Sequence, residues 1–285
     1  MSIAERPVEI RAKVSVTIDG APIDVFEGDT ILDACNKAGK DTPTVCYGPT
    51  VTPVNACRAC VVEVEGNRTL VPSCSRPAED GMVVTTDTER VDQNRKMVLE
   101  FLATSSDVSQ SEEIMGWVGD YGADLDRYDP DTTERMTDEV KIEDDLYIRA
   151  YDRCVLCYKC VEACGEDAQW TFAIAMTGRG FNNRIATEFN VELPDSACVY
   201  CGNCVAVCPT NALQFKTEFD LRKMGDWKPE EQTVSRTVCS CNLDLHVQDN
   251  TIVKVTSPDD HSITSGNLCV KGRFGYQYVQ NRPST

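Results

Sequence analysis

Two cysteine runs constrain this chain more than any other feature. The first is Cys154-Val-Leu-Cys157-Tyr-Lys-Cys160-Val-Glu-Ala-Cys164, and the second is Cys198-Val-Tyr-Cys201-Gly-Asn-Cys204-Val-Ala-Val-Cys208-Pro209. Both read C-x2-C-x2-C-x3-C. Three thiolates in so tight a loop can embrace three corners of one iron–sulfur cubane. The fourth, one helical turn on, points away and reaches the other cluster. The spacing therefore groups Cys154, Cys157 and Cys160 with Cys208, and Cys198, Cys201 and Cys204 with Cys164, around two [4Fe–4S] clusters. Zinc is the alternative. It usually takes two C-x2-C knuckles and would leave the third and fourth cysteine of each run unused.

The 285 residues leave room for two or three domains. Sixteen cysteines suggest a disulfide scaffold first, but such scaffolds are short and secreted. Met1 to Asp19 has no apolar core of a signal peptide and mixes charged with apolar residues. This favours a reducing, cytoplasmic setting. No apolar stretch is long enough to span a bilayer, although docking on a membrane complex stays open. The formal charge is −18, with 46 acids against 28 bases. A phosphate backbone demands a basic surface, so nucleic acid is excluded as a partner. The acidity reads as solubility or salt adaptation, with steering toward a basic partner as the alternative.

Taken in order, Arg11 to Ile18 alternates with period two, as a half-buried strand does. Asp19-Gly20 is a hairpin turn, and Ile23 to Phe26 returns. Asp29 or Thr30 caps a helix carrying Ile31, Leu32 and Cys35 on one face, which makes Cys35 a core thiol rather than a ligand. Cys46, Cys57, Cys60 and Cys74 follow with spacing C-x10-C-x2-C-x13-C. Gly48, Pro49, Pro53 and Asn55 put the first interval in a loop, which lets thiolates converge from several directions. Val61 to Glu65, Thr69 to Val71 and Gly81 to Thr86 read as strands, the first two around Gly66-Asn67. Residues 88–104 read as a helix with Val91, Val98, Leu99 and Leu102 on its apolar face.

A sheet with one helix and a four-cysteine loop resembles the β-grasp [2Fe–2S] domain. The spacing departs from the plant type. It resembles instead the N-terminal domain of the large iron–sulfur subunit of respiratory complex I, also found in diaphorase subunits of NAD-linked hydrogenases and in some formate dehydrogenases. In those relatives a further cluster held by one His and three Cys follows the helix. Between Cys74 and Cys154 this chain has no Cys and no His, so that cluster cannot form in the family's way. Residues 105–145 hold 14 acids and 3 bases. Ile114, Trp117, Val118, Leu125 and Tyr128 nonetheless make an ordered wrap the preferred reading over a solvated acidic arm.

Between the two central runs, Trp170 to Met176 and Asn183 to Phe189 read as strands joined through Gly178-Arg-Gly180. This stretch, with the Cys208-Pro209 ending of bacterial-type ferredoxins, resembles the two-cluster ferredoxin domain of the same subunits. Gly165 replaces the usual proline of the first run. The tail has Cys239, Cys241 and His246, then Cys269 and Lys271, with a hairpin of Leu243 to Gln248 and Thr251 to Val255 around Asp249-Asn250. It resembles the opening [4Fe–4S] domain of molybdopterin-dependent formate dehydrogenases, whose motif is C-x2-C-x3-C and a distant Cys. The second cysteine is missing. Cys239, Cys241 and Cys269 could hold a further [4Fe–4S] or [3Fe–4S] cluster with His246, His261, an Asp or a partner's side chain, or the unit could serve only for docking. Lys271 matches the lysine that lies between cluster and pterin in that family, a cofactor-binding role here. The pterin-binding domains themselves do not occur within the 285 residues.

The expected fold class is α+β. A β-grasp [2Fe–2S] domain occupies 1–87, and a helix with an acidic linker occupies 88–148. A ferredoxin-like domain with two [4Fe–4S] clusters occupies 149–232, and a small β-rich unit occupies 233–285. No nucleophile–base pair, phosphate loop or dinucleotide fingerprint stands out, so no catalytic residue is assigned. The family resemblance implies an electron-transfer subunit between an NAD(P)H-linked flavoprotein subunit and a catalytic molybdopterin or hydrogenase subunit of a formate dehydrogenase- or hydrogenase-type complex. The alternatives are the front part of a split catalytic molybdopterin oxidoreductase and a zinc-stabilised scaffold.

Overall fold

The computed structural model describes residues 11–128, 140–228, 232–238, 241–260 and 263–281. Contacts divide the chain into two units. One takes the residues up to Thr44 and Cys57–Val98; the other takes Val45–Ala56 and everything from Leu99 on. Helices and sheets are both present in mixed α+β fashion.

The first unit is a five-stranded sheet with one short helix. Strand β1 (Lys13–Ile18) buries Val16 and Ile18 and exposes Lys13 and Ser15, the alternation the sequence predicts. Asp19 and Gly20 both take positive φ, 47° and 84°. Such a two-residue turn matches the strand twist, and β2 (Ala21–Phe26) returns antiparallel. The Asp19 carboxylate accepts from Thr86 N and Thr86 Oγ1 at 2.7 Å and pairs with Lys40 at 2.8 Å. Helix α1 (Ile31–Lys37) opens on a capping box: Thr30 Oγ1 accepts from Asp33 N, and Asp33 Oδ2 accepts from Thr30 N. Thr30, not Asp29, is the cap. Strands β3 (Val61–Val64), β4 (Val71–Pro72) and β5 (Val83–Thr85) complete the sheet in the order β2-β1-β5-β3-β4. The β1–β5 contact is parallel and the others are antiparallel. Ile31 and Cys35 of the helix join Ile18, Val62 and Val84 in one core.

Helix α2 (Glu89–Ser105) buries Val91 and Leu99 as the periodicity predicts. It also buries Arg95 and Glu100, which periodicity passes over. Arg95 donates to Val61 O at 3.2 Å within the first unit, and Glu100 pairs with Arg127 at 3.0 Å within the second. Of the acidic segment, α3 (Glu112–Asp120) is capped by Ser111 and buries Ile114, Trp117 and Val118. The part of the segment from 129 to 139 lies outside the described residues.

The rest of the second unit is built of short elements. Strand β6 (Tyr147–Arg149) pairs antiparallel with β9 (Leu213–Phe215), so segments from either side of the two cysteine runs meet. Each run carries a short helix, α4 (Lys159–Cys164) and α5 (Asn203–Ala206). Between them β7 (Ile174–Thr177) and β8 (Arg184–Thr187) form a hairpin. The strand expected from Trp170 starts only at Ile174. Thr171 and Phe172 instead fold back and donate their N–H groups to Cys164 O, with Trp170 and Phe172 in positive φ. The needs of Cys164 override the β-propensity of the aromatics. Helix α6 (Lys216–Met224) follows β9.

In the tail, β10 (Gln232–Val238), β11 (Cys241–Gln248) and β12 (Thr251–Thr256) form an antiparallel sheet, with Asp249 and Asn250 both at positive φ in the expected turn. Helix α7 (Val270–Gln280) packs on it through Tyr276, whose hydroxyl donates to Val253 O at 2.9 Å. Neither β10 nor α7 is evident from the pattern. Gly272 and Gly275 disfavour a helix locally, so packing of Phe274 and Tyr276 has to supply its stability.

Candidate metal centres

All eight cysteines of the two central runs line one cavity. Their order in space crosses between the runs. The thiols that bear electrostatically on Cys157 are Cys208 and Cys154, and those that bear on Cys201 are Cys164 and Cys198. Burial is the chief cause that pushes Cys154 up to about 11 and Cys157 up to about 12, against 9.0 for an ordinary thiol. Cys160 and Cys204 are pushed well above that value, by burial first and by neighbouring thiols next. Buried, crowded thiols such as Cys160 and Cys204 resist ionising unless cations sit beside them. Bound metal would supply them, because it deprotonates a coordinating thiol outright. Eight thiols lining one cavity form a donor set that suits polynuclear clusters, whose thiolates stand apart around a cage.

The backbone prepares these sulfurs. Leu156 N donates to Cys154 and Lys159 N to Cys157; Tyr200 N donates to Cys198 at 3.5 Å and Asn203 N to Cys201. Left-handed φ at Leu156, Tyr158, Tyr200 and Gly202 turns those N–H groups inward. Ala173 N reaches Cys164 Sγ at 3.2 Å, and Leu213 N reaches Cys208 Sγ at 3.4 Å. Side-chain hydroxyls join them: Thr171 Oγ1 lies 3.4 Å from Cys164 Sγ, and the buried Tyr147 hydroxyl lies 2.9 Å from Cys198 Sγ. Burial first, then the Cys204 and Cys198 thiols, push the Tyr147 phenol far above its usual value, so it stays protonated and donates.

In the first unit, β3–β4 pairing brings the chain at Cys60 beside that at Cys74, and Ser73 Oγ and N both donate to Cys60 O. Cys57 accepts from Ala59 N at 3.5 Å, with Asn55 and Arg58 in positive φ on either side. Cys60 and Cys74 are buried, and Cys57 is half-buried. Cys46 is buried too and belongs to the loop Val45–Ala56 of the second unit, where Thr52 donates to Asp167 through N and Oγ1 at 2.6 and 2.7 Å. Cys35 stands apart in the core, its thiol pushed to about 11 chiefly by burial.

In the tail, Cys241 opens β11 and is half-buried, while Cys269 is exposed at the N-cap of α7, with Lys271 exposed beyond it. His246 Nε2 meets Thr256 Oγ1 at 2.8 Å. Cys239 and His261 lie outside the described residues.

Three family models match. A 2Fe-2S iron-sulfur cluster binding domain matches residues 11–89, a 4Fe-4S dicluster domain matches 153–212, and a molybdopterin oxidoreductase Fe4S4 domain matches 233–281. The chain carries iron–sulfur cluster domains. This iron–sulfur chain is 34% identical over 280 residues to the NADPH-Fe(3+) oxidoreductase subunit alpha of Geobacter sulfurreducens, covering 94% of the chain and 32% of the relative. It is 30% identical over 281 residues to an NADH-quinone oxidoreductase subunit of Rhizobium meliloti, with the same two coverages. A chain in the crystal structure of an NAD+-reducing [NiFe]-hydrogenase superposes with a TM-score of 0.63 at 27% identity, covering 72% of this chain and 88% of that one. The chain spans about a third of the length of these two curated relatives. Sequence reading of the iron–sulfur chain missed Tyr147 and the buried Arg273, because each stands far in sequence from the cysteine it meets in the fold. The one available signal for Arg273 was its place after Cys269-Val-Lys-Gly.

Proposed function

We propose that the chain carries single electrons between an NAD(P)H-linked flavoprotein and a catalytic subunit of a formate dehydrogenase- or hydrogenase-type complex. The crossed arrangement of eight thiols around one cavity carries this reading. Cys154, Cys157, Cys160 and Cys208 hold one [4Fe–4S] cluster; Cys198, Cys201, Cys204 and Cys164 hold the other. Cys46, Cys57, Cys60 and Cys74 hold one [2Fe–2S] cluster in a β-grasp domain, a reading supported by the sheet order and the matched family. The four segments 1–87, 88–148, 149–232 and 233–285 are its working parts. Such clusters pass electrons; the protein tunes them by hydrogen bonds to sulfur, burial and charge. A reducing, cytoplasmic compartment suits so many thiols. Among the described residues no helix is long and apolar enough to cross a membrane.

A second reading is favoured by the tail's match to the molybdopterin oxidoreductase domain and by relatives three times as long. In it, the chain is the front portion of a molybdopterin oxidoreductase. Bound pterin in the isolated chain would support it.

Iron and acid-labile sulfide per chain, after anaerobic purification, test the first reading. About ten irons are expected from one [2Fe–2S] and two [4Fe–4S] clusters. About three or four more would mean that Cys239, Cys241 and Cys269 hold a further cluster. Stoichiometric zinc with no iron refutes the electron-transfer reading.

A further inference from the structure

The two central runs offer their clusters matched backbone donors, yet their surroundings differ. Between the second and third cysteine stands Tyr158 in the first run and Gly202 in the second, both left-handed at φ 68° and 71°. A Cβ at Gly202 would stand 3.1 Å from Arg273 Cγ and 3.3 Å from the Phe274 ring. The glycine therefore lets α7 of the tail close against the second run.

What α7 brings there is a charge. Arg273 is fully buried. It donates to Cys201 O at 3.3 Å, Val255 O at 3.2 Å, Asn203 Oδ1 at 3.0 Å and Gly266 O at 3.5 Å, all neutral oxygens. Among the described residues it makes no ion pair. The ionisable groups it faces are the thiols of Cys201 and Cys204. The first run has Lys159 near Cys157, but that ammonium also acts on Asp259. Neutral donors fall on the same side as Arg273. Tyr147 serves Cys198, and Thr171 with Ala173 serves Cys164; Cys208 has Leu213 N and a hydroxyl 3.9 Å away.

We propose that Arg273 sets the redox order of the two [4Fe–4S] clusters, making the one held by Cys164, Cys198, Cys201 and Cys204 the more easily reduced. The inference rests on the ligand sets proposed above. A guanidinium is always charged, and reduction adds one negative charge beside it. With no carboxylate paired to it among the described residues and little water to screen it, the attraction favours the reduced cluster. Arg273 thus draws one electron from the Cys154 side to the Cys198 side, with no proton moved. The tail is part of the electron path's energetics and not only a docking module.

The test is an EPR-monitored redox titration of the full iron-loaded chain, with iron counted first. In Arg273→Gln the reduced-to-oxidised ratio of the higher-potential wave falls about tenfold at fixed solution potential, equivalent to about 59 mV for a one-electron couple. The lower wave stays in place. Arg273→Lys keeps the wild-type value. Asn203→Asp, nearly isosteric, puts a carboxylate at the 3.0 Å contact and lowers the same wave, so it decides the matter where Arg273→Gln sheds iron. An unmoved higher wave in Asn203→Asp and Arg273→Gln overturns the proposal. So does an Arg273→Lys variant that falls as far as Arg273→Gln, since packing and not charge would then be responsible. Wild-type chain with too little iron for two cubanes overturns the ligand sets instead, a separate outcome.

Discussion

Gly202→Ala is the sharpest probe of how the tail meets the second cysteine run. Two costs add. Left-handed φ, here 71°, costs a residue with a Cβ roughly 1–2 kcal/mol. The new methyl also meets Arg273 Cγ at 3.1 Å and two Phe274 ring carbons at 3.3 Å, both side chains buried. Overpacking of this kind costs about 1–3 kcal/mol. Gly225→Ala isolates the first cost. Gly225 ends α6 at φ 78°, and a methyl added there would meet nothing within 4 Å. Loss of clusters on unfolding is irreversible, so the readout is a rate, the bleaching of visible cluster absorbance in urea. Gly225→Ala is expected to bleach roughly 5- to 30-fold faster than wild type, and Gly202→Ala roughly 5- to 150-fold faster again, at 1.36 kcal/mol per decade. Equal rates for the two variants would refute the close approach of α7 to Gly202, and with it the physical basis for placing Arg273 beside Cys201.

Two further outcomes follow from single contacts. Tyr147→Phe removes the hydroxyl 2.9 Å from Cys198 Sγ. A bond to a charged acceptor is worth about 1.5–3 kcal/mol; if it strengthens by roughly a quarter on reduction, the potential falls by about 15–35 mV in the same redox titration. No change would mean that the hydroxyl does not donate to that sulfur. Asp19→Asn bears on acid stability. Burial raises the Asp19 carboxyl, but Lys40 and the two Thr86 donors outweigh it and hold it below 3.8. The folded form therefore disfavours protonation. The stability Asp19 contributes is whole above about pH 3.9, its unfolded value, and is lost as pH falls through the lower folded one. Urea unfolding of the first unit in Asp19→Asn should show a shallower loss of stability below pH 4 than wild type; parallel curves would count against the linkage.

The chemistry of this chain was legible in its residue spacing. Thiolates at intervals of two, two and three residues can be brought around a cubane by the local backbone alone, so the iron–sulfur character of both runs could be read before any tertiary contact. The β1–β2 hairpin was legible for the same reason, since Asp19-Gly20 and period-two alternation are local signals, and so was Cys35 as a core thiol. Local signals misled at Trp170 to Ala173, where aromatic β-propensity lost to the hydrogen bonds required around Cys164. They were silent on α7, whose two glycines hide a helix held by Phe274 and Tyr276. What surrounds each sulfur was settled by long-range packing. Arg273 meets Cys201 across 72 positions of chain, and Tyr147 meets Cys198 across 51. No periodicity encodes such a contact. It exists because the β6–β9 pair and the tail sheet fold those residues into the same low-dielectric interior, where a buried charge or hydroxyl distinguishes two cysteine runs whose local motifs are alike.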